Sequence, residues 1–312
     1  MARDRVYKIG NSRMSKKFEI TTQIGCPLMC TFCPQDKLQR AYKSSVRVLT
    51  QEVFETALNK IPKDFEIVFA GYTEPWTNKQ CNNFVRTALQ QQRKIHIYTT
   101  LYGMSYEQAL ELIDLVKQYP KQVAEIYIHL PDAKGNMVGW RYDEEYQRVL
   151  DLFYTQLTKT RFMTLDSESN INPALNIKFD QRLRPWYLHT RANNLDTQLV
   201  QGQKFYEPPV YEFVVECTRD KEFKSNVLLP NGDLSLCCMD YGLDHVLGNI
   251  LTQTYEEIMN GPVLTKLKEI NNSFGFSTES LCKSCNDGHC RTPWNDTDVF
   301  HRYKKENPDF EL

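Results

Sequence analysis

The chain has 312 residues and a formal net charge of −1, and 41% of its residues are hydrophobic. A chain this close to neutral offers little electrostatic attraction for nucleic acid or an anionic membrane, so we expect neither as a partner. It has no apolar run of about eighteen residues and no apolar signal region after Met1, which predicts a cytoplasmic protein without a membrane span. In a reducing compartment, its ten cysteines favour metal or redox chemistry over disulfides.

Strands and helices are predicted to alternate through the first two thirds of the chain. Alternating or strongly apolar runs predict strands over 18–22, 65–70, 94–99, 123–130 and 161–165, with a sixth over 186–190. Helices are predicted to begin at Thr50 and to cover 79–92, 105–118 and 144–158. This rhythm is typical of βα units on a parallel sheet, either open or closed into a barrel. We therefore expect a short arm over 1–16, an α/β domain over 17–205 and a second domain over 206–312.

Three cysteines lie within eight residues directly after the first predicted strand. Three and then two residues separate Cys26, Cys30 and Cys33. Closely spaced thiolates on one loop can ligate three irons of a single cubane cluster. Structural zinc takes four protein ligands and fits this spacing poorly. The spacing therefore predicts a [4Fe-4S] cluster with one open iron, and the alternative is three buried structural cysteines.

The motif Cys-x3-Cys-x-Phe-Cys, with Phe32 before the last cysteine, resembles the defining motif of the radical S-adenosylmethionine (SAM) enzymes. The resemblance implies a partial (βα)6 barrel, with the amino and carboxylate groups of SAM bound at the open iron. It also implies that one electron, from a donor such as flavodoxin or ferredoxin, cleaves SAM to a 5′-deoxyadenosyl radical. That radical abstracts a hydrogen atom from the substrate.

Loops after the later strands carry further candidate SAM contacts. The segment Gly71-Tyr72-Thr73-Glu74, followed by proline, resembles the Gly-Gly-Glu-Pro segment that contacts the SAM amino group in this family. The alternative is an ordinary strand-to-helix turn. In such folds the loops at the carboxyl ends of the strands carry function. We therefore expect the SAM site to include Phe32, Gly71, Tyr72, Thr73, Glu74, Thr99, Thr100 and His129.

Other residues near strand ends have two interpretations. Asp132 follows the fourth predicted strand, and His189 and Arg191 lie at the end of the sixth. Each is either a substrate ligand or a structural residue. Cys81 lies inside a predicted helix, away from any motif, and is expected to pack in the core.

Four cysteines in the last third predict a second site, made by Cys217, Cys237, Cys282 and Cys285. A β-hairpin with an Asn-Gly turn precedes Cys237, and a helix over 254–270 precedes the Cys-x2-Cys pair. The pattern resembles the short "twitch" form of the SPASM extension, as in aminocyclitol dehydrogenases and aminosugar epimerases of the family. The resemblance implies one auxiliary [4Fe-4S] cluster in a small α+β domain. The alternative is a zinc ribbon, and His289 and Cys290 are alternative ligands.

Cys238 and Cys290 are not required by these two clusters. One interpretation is packing. The other is that a free thiol returns a hydrogen atom to a carbon radical, as epimerases of the family require. Cys238 is the stronger candidate for this catalytic role.

We expect a radical SAM oxidoreductase or epimerase that dehydrogenates or epimerises a small polar substrate, such as a sugar, aminosugar or aminocyclitol. The alternative within the same chemistry is a peptide substrate, which is epimerised or crosslinked. A third possibility is a non-catalytic metal-binding interaction protein. The intact Cys26, Cys30, Cys33 and Glu74 argue against that possibility.

Overall fold

The structure is a computed structural model that describes residues 16–308 except 166, 168, 189, 204 and 206–208. The arm expected over 1–16 therefore lies almost wholly outside the described residues, as does His189. The strands are β1 (Lys17–Ile20), β2 (Glu66–Phe69), β3 (Ile95–Thr99), β4 (Val123–His129), β5 (Arg161–Leu165), β6 (Leu183–Trp186), β7 (Val214–Cys217), β8 (Asn226–Leu228), β9 (Asp233–Ser235), β10 (Val246–Asn249) and β11 (Gly288–Arg291). The helices are α1 (Gln35–Ala41), α2 (Gln51–Lys60), α3 (Cys81–Gln90), α4 (Tyr106–Gln118), α5 (Glu144–Gln156), α6 (Tyr255–Met259), α7 (Pro262–Asn272) and α8 (Thr297–Glu306). Within the described ranges, no helix has the length and apolarity needed to cross a membrane.

The first six strands form a parallel sheet in which each strand pairs with the next along the chain. Helices connect most of these strands, because parallel neighbours need a crossover. Thr50 caps α2, and Ser105 caps α4 in a capping box. The predicted α/β class with parallel βα units is confirmed. Its functional edge is the one at which the carboxyl ends of the strands meet.

The sheet continues across the predicted domain boundary. Strand β8 pairs in parallel with β1, placing Phe18 opposite Asn226 and Ile20 opposite Leu228. Strands β9 and β10 extend it in antiparallel fashion. The Asn-Gly hairpin predicted before Cys237 is present as β8–β9, and Gly232 adopts a φ of 87° in its turn. The last third of the chain therefore shares a nine-stranded sheet with the first.

Two predicted elements differ from the structure. The single helix expected over 254–270 is wrong, because it breaks at Gly261 and restarts at Pro262. A proline ring clashes with the carbonyl four residues earlier, so Pro262 serves as the first residue of α7. The sixth strand ends at Trp186 instead of beginning there. Pro185 lies inside it, which is tolerated because β6 is the last strand of the sheet and has one free edge.

The core lies between the sheet and helices α2–α5. Phe54 of α2 packs between Phe69 of β2 and Phe84 of α3, with ring centroids 6.2 and 5.0 Å away. Cys81 is fully buried in this core, as predicted. A small antiparallel sheet of β7 and β11 lies apart from the large sheet. It carries Cys217 at one strand end and Cys290 in the middle of the other strand.

Candidate active site

The first three cysteines lie on the loop between β1 and α1. A second loop, after β4, holds this cysteine loop in place. The Gly139 N–H donates to the Leu28 carbonyl at 2.7 Å, and the Thr31 hydroxyl donates to the side-chain oxygen of Asn136 at 2.7 Å. A Cβ on Gly139 would lie 2.0 Å from the Pro27 carbonyl oxygen, so only glycine permits this approach. The geometry of the cysteine loop therefore depends on both loops.

The thiols of this loop are close enough to affect one another. Burial raises the pKa of Cys26 to about 11, and the neighbouring Cys33 adds to the rise. Burial followed by the charges of Cys33 and Cys26 raises the pKa of Cys30. The Cys33 sulfur lies 3.4 Å from the Tyr241 hydroxyl. Bound iron would deprotonate such thiols, because a coordinating cation reverses this electrostatic balance. Within the described part of the chain, no three His, Cys, Asp or Glu side chains form a group compact enough for one metal ion.

A cavity of about 510 Å³ opens beside these cysteines. It brings together most of the residues predicted from the sequence, namely Cys26, Cys30, Phe32, Cys33, Gly71, Tyr72, Thr73, Glu74, Thr99, Thr100, His129, Arg191 and Cys238. The wall also includes residues that the sequence did not indicate, among them Lys17, Glu19, Tyr98, Tyr127, Trp186, Arg219 and Asp287. The alternation of Lys17, Phe18, Glu19 and Ile20 in β1 is the signal that could have revealed two of them. The charged residues face the cavity, while the apolar ones are buried in the core.

Glu74 is the buried acid of the cavity wall. Its carboxylate accepts hydrogen bonds from the Thr99 hydroxyl at 2.6 Å and from the Thr100 N–H and hydroxyl at 2.6 and 2.8 Å. Burial raises the pKa of Glu74 to about 7, and the hydrogen bonds from both threonines oppose the rise. Thr99 and Thr100 therefore position this carboxylate.

Gly71 and Tyr72 hold the same loop against its neighbours. Gly71 has a φ of 58°, and a Cβ there would lie 2.5 Å from the Thr21 hydroxyl oxygen, so glycine is required. The buried Tyr72 hydroxyl lies 2.7 Å from both the Ser235 hydroxyl and the Cys237 carbonyl oxygen. Tyr72 therefore joins the loop after β2 to the second cysteine region.

Two observations describe the polarity of the cavity. The Thr73 hydroxyl oxygen is buried and has no hydrogen-bond partner among the described residues, although Thr73 lines the cavity. A buried polar atom of this kind is normally satisfied by a ligand or water. On another wall, the His129 ring packs edge-on against Trp186, with centroids 4.7 Å apart. Burial and then the charge of Arg191 lower the pKa of His129 to about 4, so its imidazole is neutral at pH 7.

The remaining candidates from the strand ends have different positions. Asp132 accepts hydrogen bonds from the Asn136 N–H and side-chain amide at 3.0 Å, which is a structural role in the loop after β4. Arg191 lines the cavity, with its guanidinium 5.9 Å from the Trp186 ring centroid. His189 is outside the described residues.

A second cavity of about 320 Å³ is lined by the four cysteines predicted for the auxiliary cluster. Burial raises the pKa of Cys237, and charges from Cys238, Cys282 and Cys285 add to the rise. Burial raises the pKa of Cys282 as well, with a further contribution from Cys217. These thiols therefore lie near one another although they come from three separate segments.

Lys283, between the paired cysteines, is fully buried. Its ammonium donates to the carbonyls of Phe213 at 2.8 Å and Ser273 at 2.9 Å, which fastens the Cys-x2-Cys turn to the surrounding chain. His289 and Cys290 lie on β11, and neither lines the two cavities. The structure therefore does not bring Cys290 to the candidate site.

The two cavities share a wall that includes Cys238, Glu19 and Arg219. An Arg219 N–H lies 3.5 Å from the Cys238 sulfur. Burial and then the charge of Glu19 raise the pKa of Cys238 to about 11, while Arg219 and Arg191 lower it. Cys238 thus lies on the wall that the two cavities share.

A parallel α/β sheet with three thiols after β1, and a second group of four, is an arrangement that can hold two iron–sulfur clusters. The SPASM family, an iron–sulfur cluster-binding domain, matches residues 217–286. BtrN in complex with AdoMet and 2-DOIA is similar in structure, with a TM-score of 0.55 and 14% identity, covering 88% of this chain and 92% of BtrN. A histidine-tagged form of anSMEcpe with bound AdoMet is also similar, with a TM-score of 0.51 and 15% identity, and the match covers 93% of each chain. No curated protein matches the chain in sequence.

The chain therefore contains a SPASM domain and has the fold of radical SAM enzymes that carry one. This confirms the predicted resemblance and the predicted fold class. The matched range contains Cys217, Cys237, Cys282 and Cys285 and excludes His289 and Cys290. The description of the domain also favours an iron–sulfur cluster over the zinc ribbon.

Proposed function

We propose that this protein is a radical SAM enzyme that epimerises a carbon centre of a small polar molecule, such as a sugar, aminosugar or aminocyclitol. The observation that carries the proposal is the position of Cys238, which lines the cavity of the first three cysteines and also that of the auxiliary four. A thiol in this place borders the space left for a substrate. Its hydrogen atom is available to a carbon radical formed there.

The residues of the first cavity fit a cluster and SAM. Cys26, Cys30 and Cys33 would hold a [4Fe-4S] cluster and leave one iron open. Glu74 would accept a hydrogen bond from the SAM amino group, and the unsatisfied Thr73 hydroxyl offers a further polar contact. When bound, these groups supply the 5′-deoxyadenosyl radical that removes hydrogen from a substrate carbon.

The chain itself provides placement and exclusion of water. Thr99 and Thr100 fix the carboxylate of Glu74 by three hydrogen bonds, so it needs little rearrangement to accept a ligand. Phe32 packs edge-on against Trp186, with centroids 5.6 Å apart, and both line the cavity. Apolar rings at this wall keep water away from a reactive carbon centre.

Cys238 completes the epimerisation. Its S–H bond breaks as a new C–H bond forms on the face of the substrate opposite the one that lost hydrogen. Loss of this hydrogen atom leaves a thiyl radical on the Cys238 sulfur. An electron from flavodoxin, ferredoxin or dithionite and a proton from water restore the thiol.

Dehydrogenation is the second candidate, and the shared cavity wall favours it. A substrate radical beside this wall lies near the four auxiliary cysteines, whose cluster can accept an electron. The substrate would then lose a proton instead of regaining hydrogen. The auxiliary site thus serves either reaction.

A peptide substrate is the alternative class. The BtrN structure contains 2-DOIA, whereas anSMEcpe with bound AdoMet and the Kp18Cys peptide gives a TM-score of 0.51. A cavity of about 510 Å³ must admit both SAM and substrate. Pockets of about 300–1,000 Å³ enclose small molecules, so the volume favours a small substrate.

The test is an anaerobic assay in D2O with reconstituted protein, SAM and dithionite. A panel of sugars, aminosugars and aminocyclitols is screened for 5′-deoxyadenosine and for changes in substrate mass. We expect an epimer that contains one deuterium. Cys238→Ser should still form 5′-deoxyadenosine but no deuterated epimer, whereas Cys290→Ser should behave like wild type.

Other outcomes separate the alternatives. A product lighter by two hydrogens and free of deuterium assigns dehydrogenation. A deuterated epimer formed equally by Cys238→Ser removes the thiol from the mechanism. Absence of SAM cleavage in fully iron-loaded wild type would overturn the radical SAM assignment.

A further inference from the structure

We infer that the substrate carries an anionic group, a carboxylate or a phosphate, which Arg191 and Arg219 bind next to Cys238. This inference rests on the proposed function, because it names the substrate class of the same cavity. Both arginines line the cavity of about 510 Å³. Guanidinium groups present planar, paired N–H donors that match the oxygens of carboxylates and phosphates.

The backbone at Arg191 is held in a conformation that L-residues rarely adopt. Arg191, Ala192 and Asn193 have φ angles of 53°, 52° and 63°, which makes three consecutive left-handed residues without glycine. The left-handed conformation is unfavourable for a residue with a Cβ, because the Cβ approaches the following carbonyl oxygen. Strain of this kind persists where the surroundings enforce it, and it is concentrated at functional sites.

The surroundings that enforce this turn come from the SPASM region. The side-chain oxygen of Asn286 accepts hydrogen bonds from the Thr190 hydroxyl at 2.7 Å and the Thr190 N–H at 3.1 Å. The Asn194 side-chain amide donates to the Met239 carbonyl at 2.7 Å. Ala192 packs against Met239 and Cys285. The second cysteine region therefore holds the turn that places Arg191 at the cavity.

Arg219 reaches the same place from the other part of the chain. It follows β7 by two residues and lines both cavities. One guanidinium N–H lies 3.5 Å from the Cys238 sulfur and 3.5 Å from a carboxylate oxygen of Asp287. Charge-assisted N–H···O bonds are typically about 2.7–2.9 Å long, so the 3.5 Å contact with the Asp287 oxygen is a long one. A ligand oxygen can take a closer position.

Both positive charges lie on the same cavity wall as the thiol of Cys238. An Arg219 N–H lies 3.5 Å from the Cys238 sulfur, and Arg191 lines the cavity that this thiol borders. An anionic group held by the pair would anchor the substrate beside the proposed hydrogen donor. The acid that lines the same cavity near the first cysteines, Glu74, is engaged with Thr99 and Thr100. The wall near Cys238 carries two acids, Glu19 and Asp287, and three cations, Lys17, Arg191 and Arg219. Because the cations outnumber the acids, this wall favours a negative ligand.

The test uses phenylglyoxal, which modifies accessible arginines, on the anaerobic holoprotein with SAM bound. Peptide mass spectrometry follows the modification rates of Arg191 and Arg219, without additive and with inorganic phosphate, acetate or the neutral analogue acetamide. We expect phosphate or acetate to slow modification at both positions by about tenfold, equivalent to about 1.4 kcal/mol of binding. Acetamide should have no effect. Arg148 is an internal control, because its side chain is exposed and does not line the cavity. Its guanidinium carbon lies 4.2 Å from the centroid of the Tyr106 ring.

The variant Arg219→Gln separates a shared site from two independent ones. In this variant, protection of Arg191 should disappear. Protection by phosphate alone assigns a phosphorylated substrate, and protection by acetate alone assigns a carboxylate.

Absence of protection, or equal protection at Arg148, would overturn the inference. Full protection by SAM alone would also overturn it, because both arginines would then bind the SAM carboxylate. SAM cleavage with dithionite, measured in the same preparation, reports separately on the proposed function.

Discussion

The Tyr72 hydroxyl donates a hydrogen bond to the backbone carbonyl of Cys237, 2.7 Å away and 165 residues later in the chain. Its ring packs edge-on against Tyr241, with centroids 4.9 Å apart. The resemblance to Gly-Gly-Glu-Pro leaves no evident place for a large residue between Gly71 and Glu74. The structure supplies the reason, since Tyr72 is buried and connects the loop after β2 to Cys237, a predicted ligand of the auxiliary cluster.

Tyr72→Phe should destabilise the protein and loosen the auxiliary site. The change removes one hydroxyl and leaves the Cys237 carbonyl and the buried Ser235 hydroxyl with fewer partners. A buried polar group that loses its partner costs about 1–3 kcal/mol. We expect a drop of that size in the free energy of unfolding, measured by urea titration of the anaerobic holoprotein. Iron should also be lost faster to a chelator.

Tyr154→Phe is the matched control. The Tyr154 hydroxyl donates to the Lys178 carbonyl at 3.1 Å, but this bond is exposed to water. Water replaces the lost partner there, so the free energy of unfolding should change by less than about 0.5 kcal/mol. Equal losses of unfolding free energy in the two variants would show that the buried hydrogen bond between Tyr72 and Cys237 stabilises the protein no more than an exposed one.

Local sequence patterns predicted much of this molecule. Cysteine spacing, caps such as Thr50 and Ser105, and apolar runs such as β2 are each encoded within a few residues. They identified β1–β5, helices α2–α5 and both cysteine groups, but not α1, β10, β11 or α8. The helix break at Pro262 was also encoded locally, and the prediction was wrong because the proline was overlooked.

Long-range relations could not be predicted in the same way. No local pattern shows that β8 pairs with β1, or that Tyr72 reaches Cys237. The left-handed turn at Arg191 depends on Asn286, about a hundred residues away, so its own residues do not indicate it. The cavity wall near Cys238 is assembled from such contacts. For this reason Cys238 could be predicted as a site residue from the sequence, whereas Arg219 could not.

Thr73→Val should stabilise the protein without SAM and weaken SAM binding. The Thr73 hydroxyl is buried without a partner in the part of the chain that the structure describes, and valine has the same shape without the polar atom. Removing an unsatisfied buried hydroxyl gains about 1 kcal/mol, whereas losing a ligand contact costs a similar amount. We expect a higher melting temperature without SAM and an increase of about fivefold to tenfold in the SAM dissociation constant, measured by anaerobic calorimetry.

Thr160→Val separates the two effects. The Thr160 hydroxyl is likewise buried with no partner in the described ranges, but this residue does not line the cavity. Its substitution should raise the melting temperature and leave the SAM dissociation constant unchanged. If Thr73→Val also raised the melting temperature without changing the SAM dissociation constant, the Thr73 hydroxyl would have no role in binding SAM.

Gly139→Ala should remove the first cluster and spare the auxiliary one. The added Cβ would lie 2.0 Å from the Pro27 carbonyl oxygen, so the cysteine loop must move. The hydrogen bond from the Gly139 N–H to Leu28 would be broken by that movement. We expect iron after anaerobic reconstitution to fall from about eight to about four atoms per chain, with loss of SAM cleavage.

Two comparisons identify which cluster is lost. Gly135→Ala changes the same loop, at a φ of 76° but with no atom within 4 Å of the new Cβ. It should cost about 1–2 kcal/mol of stability and keep about eight irons, because strain without a clash leaves the cysteine loop in place. The triple alanine variant of Cys26, Cys30 and Cys33 should hold about four irons, and adding Gly139→Ala should remove none of them. Full iron content and normal SAM cleavage in Gly139→Ala would show that the loop after β4 does not support the first cluster.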